Sequence, residues 1–239
     1  MKREYWIILI VYIVMQLSSL AGVPAIAFLL EKFDKAKSLA VPYWLIFSFS
    51  IALVIVLFIL RKEMTKNDKR NASSVGSSVF WAISGVFLAI FAQTFAANIE
   101  RLFGIEMGSE NTQHILNIIN TFPLAILVSS IIGPILEEIV FRKIIFGALY
   151  KRFNFFISAV ISSVIFAVAH MELQHVLLYS AMGFTFAFLY IKTKHILVPI
   201  FAHVAMNTLV VLIQSTYSDE IEKLLREAKT IQNFIGGFL

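Results

Sequence analysis

The 239-residue chain contains no cysteine, which excludes structural disulfides and thiolate metal centres and leaves His, Asp and Glu as the only strong metal ligands. It is also poor in charge, with 15% Asp, Glu, Lys and Arg against about one quarter in an ordinary soluble domain. Glycine numbers 10 and proline 5, too few for a fibrous or low-complexity chain. Three long stretches lack Asp, Glu, Lys, Arg and His altogether: Tyr5 to Leu30, Ser38 to Leu60, and Asn71 to Asn98.

What fills the chain instead is hydrocarbon. Hydrophobic residues make up 59%, phenylalanine alone numbers 23, and the mean hydropathy is +0.84. A membrane helix needs about 20 apolar residues. Such runs occur at 5–30, 40–60, 75–98, 122–150, 155–170, 173–191 and 196–214. The expectation is an all-α, polytopic membrane bundle of about seven spans, six to eight, with no internal repeat. The opening MKREYWIILIVYIVMQLSSLAGVPA imitates a signal peptide, but the apolar run continues to Leu30 and further spans follow, so it reads as a retained first helix. Gly22 and Pro24 are candidates to kink or end that helix, and Gly133-Pro134 to tilt or break the fourth. Residues 155–170 are short for a span.

The formal charge of +5 would suit a nucleic-acid binder, yet the basic residues lie where membrane orientation uses them. With the N-terminus in the cytoplasm, the inner segments hold eleven: Lys2, Arg3, Arg61, Lys62, Lys66, Lys69, Arg70, Lys151, Arg152, Lys192 and Lys194. The outer loops hold four, namely Lys32, Lys35, Lys37 and Arg101. A multi-pass protein of the cell membrane with a cytoplasmic N-terminus follows, its partners being the bilayer and a membrane-associated peptide or protein, with no nucleic acid. The cluster RKEMTKNDKR serves as a cytoplasmic anchor that also attracts anionic lipid. The chain reads as one membrane domain, 1–239. Residues 1–121 form scaffold spans and an interfacial connector (99–121, helical after Asn111), 122–214 the core that carries the chemistry, and 215–239 an amphipathic tail with Ile221, Leu224, Leu225 and Ala228 on one face.

The later spans carry Glu137, Glu138, Arg142, His170 and His203, with Asn207 nearby. A charge at the bilayer centre costs about 2.5–3.5 kcal/mol even on the gentler insertion scale, so ionisable groups there imply a functional site. Glu138 and Arg142 are four residues apart and can pair on one helix face. Glu137 is rotated about 100° away and is left as the spare carboxylate. Phe166 and His170 share a face, as do His203 and Asn207. A carboxylate with a histidine can hold and deprotonate water, and a histidine with an amide can donate hydrogen bonds to an oxyanion. Those are the parts of a peptide hydrolase.

The set Glu137-Glu138-x-x-x-Arg142, Phe166-x-x-x-His170 and His203-x-x-x-Asn207 resembles the three motifs of the CAAX prenyl endopeptidase and bacteriocin-processing (CPBP, or Abi) intramembrane proteases, over about residues 122–214. The resemblance implies that Glu137 and His170 activate the attacking water, that His203 and Asn207 stabilise the oxyanion, and that Glu138 and Arg142 support them. No cofactor is expected. A zinc ion held by Glu137, His170 and His203 stays open as a chemical alternative, because the family is described with and without metal. The resemblance extends to maturation of pheromones, bacteriocins or other peptides, bacteriocin immunity, or CAAX-type processing. A non-catalytic scaffold or immunity protein is the competing reading. A proton-coupled transporter is a third, disfavoured by the absence of ionisable groups in the first three spans. Glu172 and His175 read as interfacial, and His114 and His195 as loop residues.

Overall fold

A backbone that crosses hydrocarbon must satisfy its own N–H and C=O groups within the segment, which leaves helices or closed barrels. A computed structural model describes residues 1–65, 73–106 and 108–217, and among these there are helices and turns but no strand. In chain order the helices are α1 (Arg3–Leu17), α2 (Ser19–Lys32), α3 (Ala40–Thr65), α4 (Val75–Leu102), α5 (Glu110–Thr121), α6 (Pro123–Leu149), α7 (Phe155–Ala169), α8 (Val176–Thr193) and α9 (Leu197–Thr216). The tail beyond Tyr217, where an amphipathic helix is expected, and residues 66–72 of the basic cluster lie outside the described residues.

Each of the seven apolar runs becomes helix, but they are not equal in reach. Five helical segments are long and apolar enough to cross a membrane, and the α1–α2 pair, bent by 46°, makes a sixth if counted as one span. Helix α7 has 15 residues, about 22 Å at the α-helical rise, against a hydrocarbon layer of about 30 Å. Large side chains such as Phe80, Phe87, Phe91 and Phe95 of α4 stand exposed, as expected of a surface solvated by lipid tails.

The bend between α1 and α2 falls at Ser18, upstream of both Gly22 and Pro24. Ser18 Oγ donates to Met15 O at 2.6 Å and accepts from Trp44 Nε1 at 3.2 Å, holding the corner against α3. Gly22 then admits the Trp44 indole so closely that a Cβ would overlap it at 1.9 Å.

Helix α6 does not break at Gly133-Pro134. The α-helical stretch Gly133–Glu137 is flanked by π-helical turns over Val128–Ile132 and Glu138–Phe146. Pro134 can donate no backbone hydrogen bond and its ring crowds the preceding turn; the wider π turns absorb both defects while the helix continues. π turns of this kind concentrate at functional sites.

The segments alternate between two ends of the bundle. At one end Lys2 and Tyr5 both reach Glu63, as does Lys143 at 3.5 Å, and Ser73 N donates to Thr193 O at 3.1 Å. This basic end gathers the start of α1, the end of α3, the start of α4 and the end of α8. At the other, the Tyr43 and Phe122 rings meet at 5.2 Å and Ser109 Oγ donates to Glu172 at 2.7 Å. This connector end gathers the starts of α3, α6 and α8 with the loop before α5.

Helices α7 and α8 meet through small residues, which bring two backbones close where no hydrophobic drive separates protein from lipid. Ser158, Ala159, Ser162 and Ser163 are buried against a face containing Gly183 and Ala187. A Cβ on Gly183 would lie 2.9 Å from Ser163 Cβ. Gly183→Leu is therefore expected to overpack this seam and cost about 1–3 kcal/mol, read as a lower thermal midpoint of the detergent-solubilised protein. An unchanged midpoint would contradict the packing described.

Candidate active site

The deepest element of the site is an ion pair with no solvent. Glu138 and Arg142, one turn apart on α6, have fully buried side chains and a Glu138 Oε2 to Arg142 Nε separation of 3.1 Å. The guanidinium lies 4.4 Å from the Phe166 ring centre, 5.5 Å from Phe186 and 6.0 Å from Phe141. Its Nη groups have no hydrogen-bond acceptor among the described residues, so aromatic faces supply the contact that lone pairs would otherwise give. Removing one partner of such a pair strands a buried charge, at roughly 3–5 kcal/mol.

Glu138 has a second role that its spacing from Arg142 does not reveal. Its Oε1 lies 3.0 Å from His203 Nδ1 on α9. A carboxylate only accepts, so Nδ1 carries the proton and Nε2 is the nitrogen left for chemistry. His203 is buried and stacks on Phe186 at 4.6 Å. Its Nε2 stands 3.8 Å from Glu137 Oε2.

Glu137 differs from its neighbour as the helical rotation requires. Its side chain is 19% exposed where that of Glu138 is 0%, and the exposure is to a cavity of about 410 Å³. Glu137, His170, His203 and Asn207 all line that cavity, while Glu138 and Arg142 lie behind its wall. Asn207 spends one amide N–H on Ser129 O at 3.3 Å, and the other N–H has no acceptor among the described residues.

His170 caps the C-terminus of α7 and is held on three sides. Its Nδ1 lies 2.8 Å from Phe166 O, and a carbonyl can only accept, so here too Nε2 is the free nitrogen. The Phe166 ring meets it edge-on at 4.5 Å, and Tyr179 of α8 stacks on it at 4.1 Å.

Tyr179 leads to a polar network that the sequence reading missed. Its hydroxyl donates to Glu172 Oε2 at 2.7 Å, and Glu172 also accepts from Ser109 Oγ at 2.7 Å and Asn111 N at 3.2 Å. Beside it, His175 Nδ1 lies 2.8 Å from Glu100 Oε2, and Glu100 Oε1 accepts from Leu178 N at 2.9 Å. Glu172 and His175, expected at an interface, are buried, as is Glu100. His114, expected in a loop, sits on α5 and lines the cavity, whereas His195 does lie in a loop. The local hint is Ser109 before Glu110 and Asn111, an N-cap pattern; that its hydroxyl also serves Glu172 is visible only in three dimensions.

Burial pushes the Glu172 carboxyl up, but the hydroxyls of Ser109 and Tyr179 and the backbone N–H of Asn111 outweigh it and hold the group below its ordinary value. A carboxylate depressed in the folded state stabilises the fold above its unfolded value and loses that contribution as pH falls through the folded one. Wild type should therefore melt at a higher temperature than Glu172→Gln near neutral pH, the gap closing as the solution is acidified below the ordinary carboxylate range. Paired melting curves across pH test this, and a gap independent of pH would contradict it.

With the geometry in place, the chain can be set against known proteins. Residues 119–209, which include every residue of the three motifs, match the family of type II CAAX prenyl endopeptidases described as Rce1-like. The chain is 50% identical over 99% of both chains to YdiL of Bacillus subtilis (strain 168), whose name as a membrane peptidase is provisional. It is 30% identical over 93% of both chains to the membrane-embedded CAAX protease MroQ of Staphylococcus aureus (strain USA300). No solved structure matches. The chain belongs to the Rce1-like CAAX prenyl endopeptidase family, and it is an intramembrane peptidase.

The family's description as metalloproteases raises the question of a metal ion. Among the described residues no three His, Asp or Glu side chains converge as a metal site requires, Glu137, His170 and His203 included.

Proposed function

We propose that the cavity hydrolyses a peptide bond of a membrane-associated peptide or protein, with Glu137 as general base. The observation that carries this reading is the division of labour between adjacent carboxylates: Glu138 is committed to Arg142 and to His203 Nδ1, while Glu137 faces the cavity with His203 Nε2 at 3.8 Å and, among the described residues, no Lys or Arg paired to it. Water held between Glu137 and His170 Nε2 gives its proton to Glu137 as its oxygen attacks the scissile carbonyl. The oxyanion is received by His203 and by the second N–H of Asn207. Since His203 Nδ1 already donates to Glu138, Nε2 can donate to an oxyanion only when the ring is imidazolium. Glu138 stabilises that form, much as the aspartate does for the histidine of a serine-protease triad. Glu137 then passes its proton to the leaving amine, the C–N bond breaks, and two peptides leave.

In this reading Glu138 orients a donor rather than serving Arg142 alone. Glu138→Gln would be expected to lower turnover by about 10²–10⁴, the range for losing a correctly held acid–base group, with a smaller effect on KM. Turnover within a few-fold of wild type would contradict this role.

The substrate classes in view are those of the relatives and of the motif resemblance: a CAAX-type protein, or a peptide matured at the membrane such as a pheromone or bacteriocin precursor. The excess of Lys and Arg in the segments that share an end with Lys2 supports a cytoplasmic N-terminus. Peptidomics on membranes from cells expressing wild type or Glu137→Gln at matched abundance tests the whole reading, because the swap keeps shape while removing the base. Cleavage products are expected only with wild type. Identical peptide profiles, with the host's small secreted peptides co-expressed, would favour a scaffold that binds a partner without cutting it.

A further inference from the structure

The cavity is not symmetric about the bundle. Helix α3 lines it only with its first turns, through Val41, Leu45 and Phe49, and the connector and α5 line it with Ser109, Thr112 and His114. Helix α4 contributes Gln93 from its second half, α6 contributes residues no later than Glu137, and α9 contributes His203 and residues beyond it. Most of these lie nearer the connector end, and the deepest, Glu137 and His203, lie near the middle of α6 and α9. The basic end, where Lys2 and Lys143 meet Glu63 and Ser73 meets Thr193, contributes nothing to the wall.

The charge of the chain is polarised along the same axis. Among the described residues the segments at the basic end hold eight Lys and Arg, namely Lys2, Arg3, Arg61, Lys62, Lys151, Arg152, Lys192 and Lys194, against the four of Lys32, Lys35, Lys37 and Arg101 at the connector end. Taken along the sequence alone, the segment after α3 adds Lys66, Lys69 and Arg70 to the first group and the stretch after α9 adds Lys223, Arg226 and Lys229 to the second, which leaves eleven to seven. Short loops rich in Lys and Arg stay in the cytoplasm. The basic end therefore faces inward, and the mouth of the cavity faces out.

We infer that the cavity opens on the extracytoplasmic side and that its substrate is a polypeptide segment presented there, an exported peptide or an outward-facing stretch of a membrane protein, rather than a protein lipidated in the cytoplasm. The inference rests on the cavity being the active site and narrows the substrate classes to those that reach it from outside. Glu137 would then meet its peptide bond after translocation of the chain that carries it.

The absence of native cysteine makes the test direct, because single cysteines report without background. Thr112→Cys and His114→Cys mark the mouth, and Lys151→Cys and Lys194→Cys, both exposed, mark the basic end. Each is expressed in the full-length protein and treated with a membrane-impermeant maleimide, before and after permeabilisation. Labelling of the mouth positions in intact cells should come within about two-fold of that after permeabilisation, while the basic-end positions should gain about ten-fold or more. If Thr112→Cys fails to accumulate, His114→Cys carries the readout, since that side chain is exposed. The reverse pattern, or equal labelling of both ends in intact cells, would overturn the inference. Either outcome is independent of the Glu137→Gln peptidomics, so a cytoplasmic mouth would leave the peptidase reading standing and loss of the peptidase reading would leave the orientation standing.

Discussion

The site depends on one buried carboxylate having two partners. Glu138 is held by Arg142 from its own helix and touches His203 from a helix 65 residues further along. A buried charge without a partner is costly to the fold. The guanidinium, itself enclosed by Phe141, Phe166 and Phe186, keeps Glu138 an acceptor, and that acceptor fixes which nitrogen of His203 carries its proton. Phe166 ties the same cluster to the second histidine, since its ring faces Arg142 and its carbonyl accepts a hydrogen bond from His170 Nδ1. Three helices are thus aligned by contacts that converge on one charge pair, with Glu137 left at the cavity wall.

The surrounding fold places that pair where water can come near without flooding it. Helix α7 is too short to span the bilayer and ends at His170, so a histidine sits at a helix terminus inside the protein. The π turns of α6 carry the chain past Pro134 without a break. The network of Ser109, Glu172 and Tyr179 ties the connector to the ring that stacks on His170, which links the order of the cavity mouth to the position of a proposed water-holding residue.

Much of this was legible in the sequence, because apolar runs and helical spacings are local. All seven runs became helix, and the pairing of Glu138 with Arg142, the separate direction of Glu137 and the common face of His203 and Asn207 follow from periodicity once the helices are granted, whereas the meeting of that face with His170 in one cavity does not. What could not be read are contacts between distant segments. Glu138 to His203 is one, and Glu172 to Ser109 is another, which is why Glu172 and His175 read as interfacial while being buried. The bend at Ser18 rather than at Gly22 or Pro24 comes from Trp44 on the next helix. The bend between α1 and α2 and the limited reach of α7 leave five or six helices long and apolar enough to cross, the seven apolar runs notwithstanding.

At the heart of the site, Glu138 dictates which nitrogen of His203 carries the proton. Nitrogen NMR on histidine-labelled protein in nanodiscs, with the His203 signals assigned through His203→Gln, measures it without any substrate. The account predicts a protonated Nδ1 on His203 in wild type and loss of that preference in Glu138→Gln. A neutral His203 protonated only at Nε2 in wild type would contradict it.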